Sequence, residues 1–273
     1  MRFTVLGAGG FVGTHLLARL GQQGHTVFAP ARDDESWLDE ELGHVFYCIG
    51  LTNDFQARPF DTVEAHVSLL ARLLQRGRFE RLVYLSSTRL YDSLPAALGN
   101  ESASLQFDPA NSRHLYDLSK ALGENLCLTQ SAGRASVARL ACVYSDTLEE
   151  GGFLSQLLPR AANGESFSLD SSPGYSRDYV HIDDVSCLLQ SILLSGIQGI
   201  YNVASGYNTS NAELLAAVQR LANVSLAFSR QEAQQAPLIS IDKAQQAFAF
   251  QPIQLLDRLP IMLEKIKARH HGA

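Results

Sequence analysis

The chain has 273 residues, of which 46% are hydrophobic and 18% are charged, and its formal net charge is −6. This length allows one large domain or two closely packed ones, and the composition excludes wholesale disorder and collagen-like or coiled-coil rods. The acidic balance and the lack of a Lys/Arg run argue against a nucleic-acid partner. No apolar stretch approaches the roughly 20 residues that cross a bilayer, and the first residues lack a signal-peptide pattern. We therefore expect a cytoplasmic protein that does not associate with membranes.

Strand and helix patterns alternate through the first half of the chain. Short apolar runs predict strands at 2–6, 26–29, 45–49, 81–85 and 135–141. Apolar residues at helical spacing predict helices at 11–22, 60–76 and 113–130. Strands joined by helices of this length favour an α/β fold, with a doubly wound parallel sheet covered on both faces.

The pattern changes after residue 144. A helix at 153–163 lies among polar loops, a helix at 183–194 and a strand at 200–203 follow, and the C-terminal part reads as helices at 210–222, 242–249 and 254–268. We expect a dinucleotide-binding core over 1–145, to which 178–204 returns. We expect a smaller, mostly helical substrate-binding region over 146–273, built mainly from 146–177 and 205–273.

A glycine-rich turn joins the first strand to the first helix. Glycine there permits a tight turn, a close approach of the backbone to a pyrophosphate, and packing of the helix on the strand. The N-terminus of the helix offers free N–H groups to phosphates. The alternative is a plain turn. The predicted cofactor contacts are Gly7, Gly10, Phe11, Val12 and Gly13.

The end of the second strand bears on the choice of cofactor. An Asp or Glu there usually binds the 2′-hydroxyl of NAD, but the first charged residue in this chain is Arg32. A guanidinium suits a 2′-phosphate, so NADP is favoured. Asp33 and Asp34 keep NAD open, and Arg32 could also be a solvated loop charge.

Tyr116 and Lys120 lie four residues apart on the predicted helix 113–130, so their side chains share one face. A lysine ammonium beside a phenol favours the phenolate, which makes the tyrosine an acid or base near neutral pH. Ser86 and Ser87 end the strand 81–85, at the edge where open α/β sheets bind ligands. Plain helix packing for the first pair, and backbone capping for the serines, are the alternatives.

Cysteine and histidine positions give no metal pattern. The four cysteines, at 48, 127, 142 and 187, form no CxxC pair, so neither a disulfide framework nor a zinc site is predicted. His181 has no partner at ligand spacing, and we expect it to be packed or hydrogen-bonded.

Taken together, these features resemble the extended short-chain dehydrogenases/reductases, the family of NAD(P)-dependent nucleotide-sugar epimerases, dehydratases and reductases. The resemblance runs nearly from end to end and implies a Rossmann-like fold. The matching segments are Gly7-x-x-Gly10-x-x-Gly13, Ser86-Ser87-x-x-x-Tyr91, Tyr116-x-x-x-Lys120, 139–144, 177–184, 201–206, Asp242-Lys243 and Phe250-Gln251-Pro252.

The resemblance implies a role for each matching residue. Ser87 corresponds to the catalytic Ser/Thr, Tyr116 to the proton-transferring tyrosine, and Lys120 to the lysine that binds the nicotinamide ribose and lowers the pKa of the tyrosine. Tyr91 is implied to help place the substrate. Arg177 corresponds to the arginine that grips the nucleotide diphosphate, with a structural salt bridge as its alternative. Gly50, after the third strand, joins the implied cofactor contacts.

Three departures from the family pattern bear on the expected substrate contacts, reaction and fold. Cys142 stands where the family usually has an Asn that contacts the substrate phosphate. Thr88 and Arg89 replace the Asp-Glu pair of the similar 4,6-dehydratases, which argues against dehydration. The segment before the strand 45–49 is too short for the family's usual extra strand and helix, so we expect one strand fewer and a short helix within 34–42.

The predicted function is reduction of a 4-keto sugar linked to a nucleotide, with Ser87, Tyr116 and Lys120 as catalytic residues. An NAD-dependent 4-epimerase is the first alternative, and a catalytically silent NADP-sensing protein on the same fold is the second. Small aldehydes, ketones or steroid-like alcohols stay open as substrates. The resemblance also implies a homodimer formed through the helices 60–76 and 113–130.

Overall fold

The protein is described here by a computed structural model that covers residues 1–32, 34–94, 98–231 and 236–271. Asp33, on which the NAD alternative partly rests, lies outside these residues. The strands are β1 (Arg2–Leu6), β2 (Thr26–Phe28), β3 (Glu41–Tyr47), β4 (Arg78–Ser87), β5 (Leu98–Gly99), β6 (Ala135–Leu140), β7 (Cys142–Tyr144), β8 (Phe167–Leu169), β9 (Ser176–His181), β10 (Ile200–Val203), β11 (Asn208–Ser210), β12 (Leu226–Phe228) and β13 (Leu238–Ile239). The helices are α1 (Phe11–Gln22), α2 (Pro59–Val63), α3 (Leu69–Arg76), α4 (His114–Gln130), α5 (Phe153–Ala162), α6 (Ile182–Ser195), α7 (Asn211–Ala222), α8 (Asp242–Phe248) and α9 (Leu255–His271).

Six parallel strands form the central sheet, in the order β10-β6-β4-β3-β1-β2. The chain runs from β1 outward to β2 and then returns across β1 to β3, so the strand order reverses between β1 and β3. In open α/β sheets such a reversal opens a crevice at the carboxyl ends of the strands. The predicted doubly wound α/β fold is confirmed.

The outer side of the sheet ends at β2 within the described residues. A 3-10 turn, Ser36–Asp39, follows β2 and buries Trp37 and Leu38 against the sheet. Their side chains pack in the same apolar cluster as Val45 of β3 and Leu70 of α3. The prediction of a missing strand replaced by a short helix agrees with this arrangement.

Two apolar layers cover the central sheet. One layer includes Leu16 and Leu20 of α1 and Leu189 of α6. The other includes Leu70 of α3 and Cys127 of α4. A third apolar cluster is separate from both and joins α5, α7 and α9 to the short strands β8 and β12.

The structure differs from the sequence prediction in two stretches. The predicted helix 60–76 contains a π-helical turn, Glu64–Ser68, between α2 and α3. Helix α8 packs on the main core through Ala244 instead of joining the smaller C-terminal cluster. No helix among the described residues has the length and apolar content to cross a membrane.

Candidate active site

The glycine turn after β1 is shaped by close backbone contacts. Gly7 has a φ of +86°, and a Cβ atom there would lie 2.9 Å from the carbonyl carbon of Cys48. A Cβ atom on Gly13 would lie 2.3 Å from the Gly7 oxygen. Gly10 is the N-cap of α1 and supplies no side-chain cap, so the first N–H groups of the helix are free to bind phosphate oxygens. The turn therefore fits a dinucleotide.

A cavity of about 1230 Å³ begins at this turn and follows the carboxyl ends of β1, β3 and β4. It extends past the ends of β6 and β7 to the strand β9. The sequence-predicted residues that line it are Gly10, Phe11, Val12, Gly13, Gly50, Ser87, Tyr116, Lys120 and Arg177. The structure thus brings the predicted cofactor turn, the Ser/Tyr/Lys group and the predicted phosphate-binding arginine into one cavity.

Tyr116 forms part of the cavity wall and is almost fully buried. Burial raises the pKa of its phenol, while a hydrogen bond to Ser87 and the charge of Arg89 act in the opposite direction. The Arg89 guanidinium carbon lies 4.5 Å from the centre of the Tyr116 ring. The cation next to this phenol is therefore Arg89, whereas the resemblance implied that Lys120 lowers the pKa.

Lys120 is buried, and few polar groups compensate the charge of its ammonium. Its Nζ donates a hydrogen bond of 2.8 Å to the Leu85 carbonyl oxygen and lies 4.8 Å from the centre of the Tyr84 ring. Burial lowers the pKa of Lys120 to about 7, although the Glu124 carboxylate acts against the shift. A Cβ atom on Gly50 would lie 3.2 Å from Nζ, so glycine there leaves space beside the ammonium.

The two serines at the end of β4 have different surroundings. The Ser86 hydroxyl donates to Glu124 Oε1 over 2.5 Å and is buried. The Ser87 hydroxyl lines the cavity and accepts a hydrogen bond of 3.2 Å from the Arg89 N–H, which caps the 3-10 turn Thr88–Tyr91. The capping alternative therefore holds for Ser87 alongside its position beside Tyr116.

Arg177 lines the far end of the cavity, on β9. Its Nε donates to the Tyr175 hydroxyl, and one of its terminal nitrogens lies 3.7 Å from Cys142 Sγ. Within the described part of the chain no carboxylate forms an ion pair with it, so the alternative of a structural salt bridge finds no support there.

Tyr91 and Arg32 lie outside the cavity wall. Tyr91 is fully buried. Its hydroxyl accepts a hydrogen bond of 2.8 Å from Arg139 and donates one of 2.8 Å to Asn202. This placement corrects the expectation that Tyr91 contacts substrate, because its one hydroxyl is committed within the core. Arg32 is exposed in the loop after β2.

His66 is a buried residue that the sequence analysis missed. It lies in the π-helical turn, and its ring contacts the Tyr116 ring edge-on, with 5.2 Å between the ring centres. Its Nε2 accepts a hydrogen bond of 3.2 Å from the Leu51 N–H. Its Nδ1 lies 2.8 Å from the Ser119 hydroxyl, which donates to the Tyr116 carbonyl. The neutral Nδ1–H form satisfies both contacts, and burial lowers the pKa of His66 to about 2.

No pattern in the sequence marked His66, since it occupies a core position of an apolar helix stripe. His181 is buried, and its Nδ1 accepts a hydrogen bond from the Asp183 N–H, in line with the expected hydrogen-bonded role. The described residues contain no group of three or more His, Cys, Asp or Glu side chains that could hold a metal.

Comparison with known proteins gives one family match and several distant relatives. The model of the "NAD dependent epimerase/dehydratase family" matches residues 3–204. UDP-glucuronic acid decarboxylase 1 of Danio rerio is 21% identical over 78% of this chain, and the chain spans only 57% of that protein. dTDP-4-dehydro-6-deoxy-D-allose reductase of a Streptomyces species is 22% identical over 91% of this chain and 90% of that protein.

Solved structures resemble the whole fold. The structure of MoeE5 in complex with UDP-glucose and NAD has a TM-score of 0.82 at 19% identity and covers 100% of both chains. RMD from Pseudomonas aeruginosa, complexed with NADPH, has a TM-score of 0.77 at 24% identity, and the match covers 98% of this chain and 99% of that one. At these identities the likeness shows the fold.

Proposed function

We propose a function from the premise that this chain belongs to the NAD dependent epimerase/dehydratase family, whose model matches most of its length. The chain is an NAD(P)-dependent enzyme of that family. We infer that it reduces a 4-keto sugar linked to a nucleotide. The observation that carries this proposal is the single cavity in which Ser87, Tyr116 and Lys120 lie between the glycine turn and Arg177.

The cavity offers suitable partners for both bound molecules. Gly10, Gly13 and the free N-terminus of α1 would hold the dinucleotide phosphates, and Lys120 would bind the nicotinamide ribose. Arg177 would bind the diphosphate of the sugar nucleotide through its guanidinium fork, with Cys142 beside it in place of an amide. When bound, the nicotinamide supplies or accepts a hydride.

The remaining chemistry falls to the chain's own side chains. The Tyr116 hydroxyl would give or take the proton of the reacting sugar oxygen. The Ser87 hydroxyl would orient that oxygen by a hydrogen bond. Reduction consumes one proton at the carbonyl oxygen, so Tyr116 must start protonated, a state that its burial favours.

NADP is the proposed cofactor. Arg32 is exposed after β2, where a guanidinium can meet a 2′-phosphate, and the similar RMD structure contains NADPH. The similar MoeE5 structure contains NAD, so NAD remains the alternative to be tested. The cytoplasmic location stays a prediction.

The reaction direction rests on the reductase among the relatives, which aligns over nearly its full length. A 4-epimerase is the second candidate, because the family description names epimerases and the structure of a UDP-glucuronic acid 4-epimerase from Bacillus cereus is similar, with a TM-score of 0.77. Dehydration is disfavoured, since Thr88 and Arg89 supply no carboxylate after Ser87.

Native mass spectrometry of the freshly purified protein, followed by NADPH and NADH titration and a panel of 4-keto sugar nucleotides, tests the proposal. We expect a site that binds and releases NADPH, and turnover of at least one keto sugar. A stoichiometric NAD that does not dissociate would replace the reductase by an epimerase. Cofactor binding without turnover of any sugar, together with a defined protein partner, would support the silent sensor.

We also propose the homodimer that the sequence analysis expected. The helices α2 and α4 leave apolar side chains exposed, with Phe60 87% accessible and Val63, Leu118 and Leu122 also in contact with solvent. A two-fold contact would bury these side chains. Sedimentation of the wild type and of the Phe60→Ser, Leu122→Ser double variant measures it, with a dimer expected only for the wild type.

A further inference from the structure

Arg89 is a cavity residue for which the proposed reaction has no use. It lies in the 3-10 turn after β4, and its guanidinium carbon is 4.5 Å from the centre of the Tyr116 ring and 5.1 Å from the centre of the Phe55 ring. Both aromatic rings lie close to the guanidinium and remove part of its water.

The described carboxylates that line the cavity are engaged elsewhere, and one of them, Asp178, accepts hydrogen bonds from the Ser205 and Gly206 N–H groups. Asp92 forms an ion pair with Arg113 at 2.5 Å, and Glu150 accepts a hydrogen bond from the Ser145 hydroxyl. Asp117 is buried behind the cavity wall and lies 3.9 Å from Arg113. Burial raises the pKa of its carboxyl, and the charges of both Arg113 and Arg89 act to lower it. Across the described ranges no carboxylate lies within ion-pair distance of Arg89. A partly desolvated guanidinium with no carboxylate in direct contact is energetically costly unless a ligand supplies one.

We propose that Arg89 binds a carboxylate carried by the sugar ring of the substrate, so that this enzyme acts on a nucleotide-linked uronic acid. The inference rests on the proposed function, because Tyr116 and Ser87 fix where the reacting oxygen lies. The Arg89 guanidinium carbon lies 4.5 Å from the centre of the Tyr116 ring, so an anion bound by Arg89 would lie near that oxygen. A planar fork pairs with both carboxylate oxygens at once.

This contact is separate from the proposed diphosphate contact at Arg177. Arg177 lies on β9 at the far end of the cavity, whereas Arg89 lies beside the Ser87 and Tyr116 hydroxyls. A nucleotide-linked uronic acid carries negative charge at both places, and a neutral hexose carries it only at the diphosphate. Arg89 therefore acts as a specificity residue for one substituent of the sugar.

The test compares matched acidic and neutral ligands on the cofactor-loaded protein. The probes are UDP-glucuronic acid with UDP-glucose, and GDP-mannuronic acid with GDP-mannose, titrated by calorimetry into the wild type, Arg89→Gln and Arg89→Lys. We expect the wild type to bind the acidic member of one pair at least tenfold more tightly. Arg89→Gln should lose that preference while its affinity for the neutral member changes less than twofold, and Arg89→Lys should fall between.

Arg160→Gln, which removes an exposed charge on α5, is the matched control and should keep the wild-type preference. Unchanged affinity for the cofactor in Arg89→Gln shows that the variant is folded. An equal affinity of the wild type for acidic and neutral sugars would overturn the carboxylate proposal and leave the proposed function standing. Failure of every sugar nucleotide to bind would overturn the proposed function itself.

A second measurement separates substrate binding from an effect on Tyr116. If Arg89 acts only through the tyrosine, Arg89→Gln shifts the pH profile of kcat equally for acidic and neutral substrates and leaves KM unchanged, and the proposal fails. If Arg89 holds the carboxylate, KM rises at least tenfold for the acidic substrate alone.

Discussion

Lys120 on α4 and Arg139 on β6 are both buried cations near Glu124, yet the protein satisfies them differently. Arg139 makes two hydrogen bonds to the Glu124 carboxylate, at 2.6 and 2.9 Å, and a third to Tyr91 at 2.8 Å. Among the described residues Lys120 has one hydrogen bond, to a neutral carbonyl oxygen, and it lines the cavity. A buried cation whose hydrogen-bond partners all lie within the protein has a structural role. A buried cation with few partners that faces a cavity is available to bind a ligand.

The structural half of this comparison predicts the largest loss of stability. Glu124→Gln leaves the Arg139 guanidinium buried without its counter-charge, and breaking a buried pair in this way costs about 3 kcal/mol. Urea unfolding of the cofactor-free protein measures the free energy of unfolding. Glu165→Gln, which breaks the exposed pair with Arg160, is the control and should cost less than about 1 kcal/mol. Equal losses in the two variants would contradict the comparison.

At the other end of the cavity, Gly13→Ala should weaken cofactor binding. Its Cβ atom would meet the Gly7 oxygen at 2.3 Å, so the turn must open and the phosphate-binding N–H groups must move. We expect the Kd for NADPH to rise about 100-fold, which is roughly 2.7 kcal/mol, as measured by fluorescence titration. Gly21→Ala on the same helix has open space around its new Cβ atom and should leave Kd unchanged.

The functional half of the comparison predicts a gain in stability. Lys120→Met removes a poorly compensated buried ammonium and should raise the free energy of unfolding of the cofactor-free protein by about 2 kcal/mol at pH 7. Activity should be lost at the same time. If Lys120→Met destabilises the protein as strongly as Glu124→Gln does, the ammonium is structural and the comparison is wrong.

The pH dependence of stability sharpens the same point. Burial lowers the pKa of Lys120 to about 7 from its ordinary value of 10.5. Between these two values the unfolded chain binds more protons than the folded one, so this group makes stability rise with pH from about 7 to 10.5. Subtracting the Lys120→Met profile from that of the wild type isolates the contribution. A flat difference across that range would contradict the lowered pKa.

The parts of the molecule that the sequence predicted well are set by local patterns. The strand and helix alternation, the glycine turn and the location of Tyr116 and Lys120 on helix α4 all depend on spacing within one or two elements. The expected contact of the Lys120 ammonium with the Tyr116 phenol did not follow, because the cation next to Tyr116 is Arg89. Tyr91 was misread because its surroundings are not local. Its hydroxyl partners lie 48 and 111 residues away, on Arg139 and Asn202, so motif spacing could not show that the ring faces the core.

Arg89 and His66 escaped prediction for the same physical reason. Each of these residues is of interest because its side chain contacts the Tyr116 ring. The fold brings Tyr116 next to both segments, which are distant from it in sequence. The π-helical turn that holds His66 also interrupts a helix whose apolar spacing looked regular. Contacts between elements, and not the elements themselves, decided which residues form the site.

Tyr116→Phe tests the central claim of a Tyr116-dependent active site most directly. The measurement is kcat with a 4-keto sugar nucleotide that the wild type turns over, together with the Kd for NADPH in both proteins. We predict that kcat falls by about 100-fold or more, while the Kd changes less than about threefold because only one hydroxyl is removed. A variant that keeps wild-type turnover would show that Tyr116 does not transfer the proton and would contradict the proposed active site.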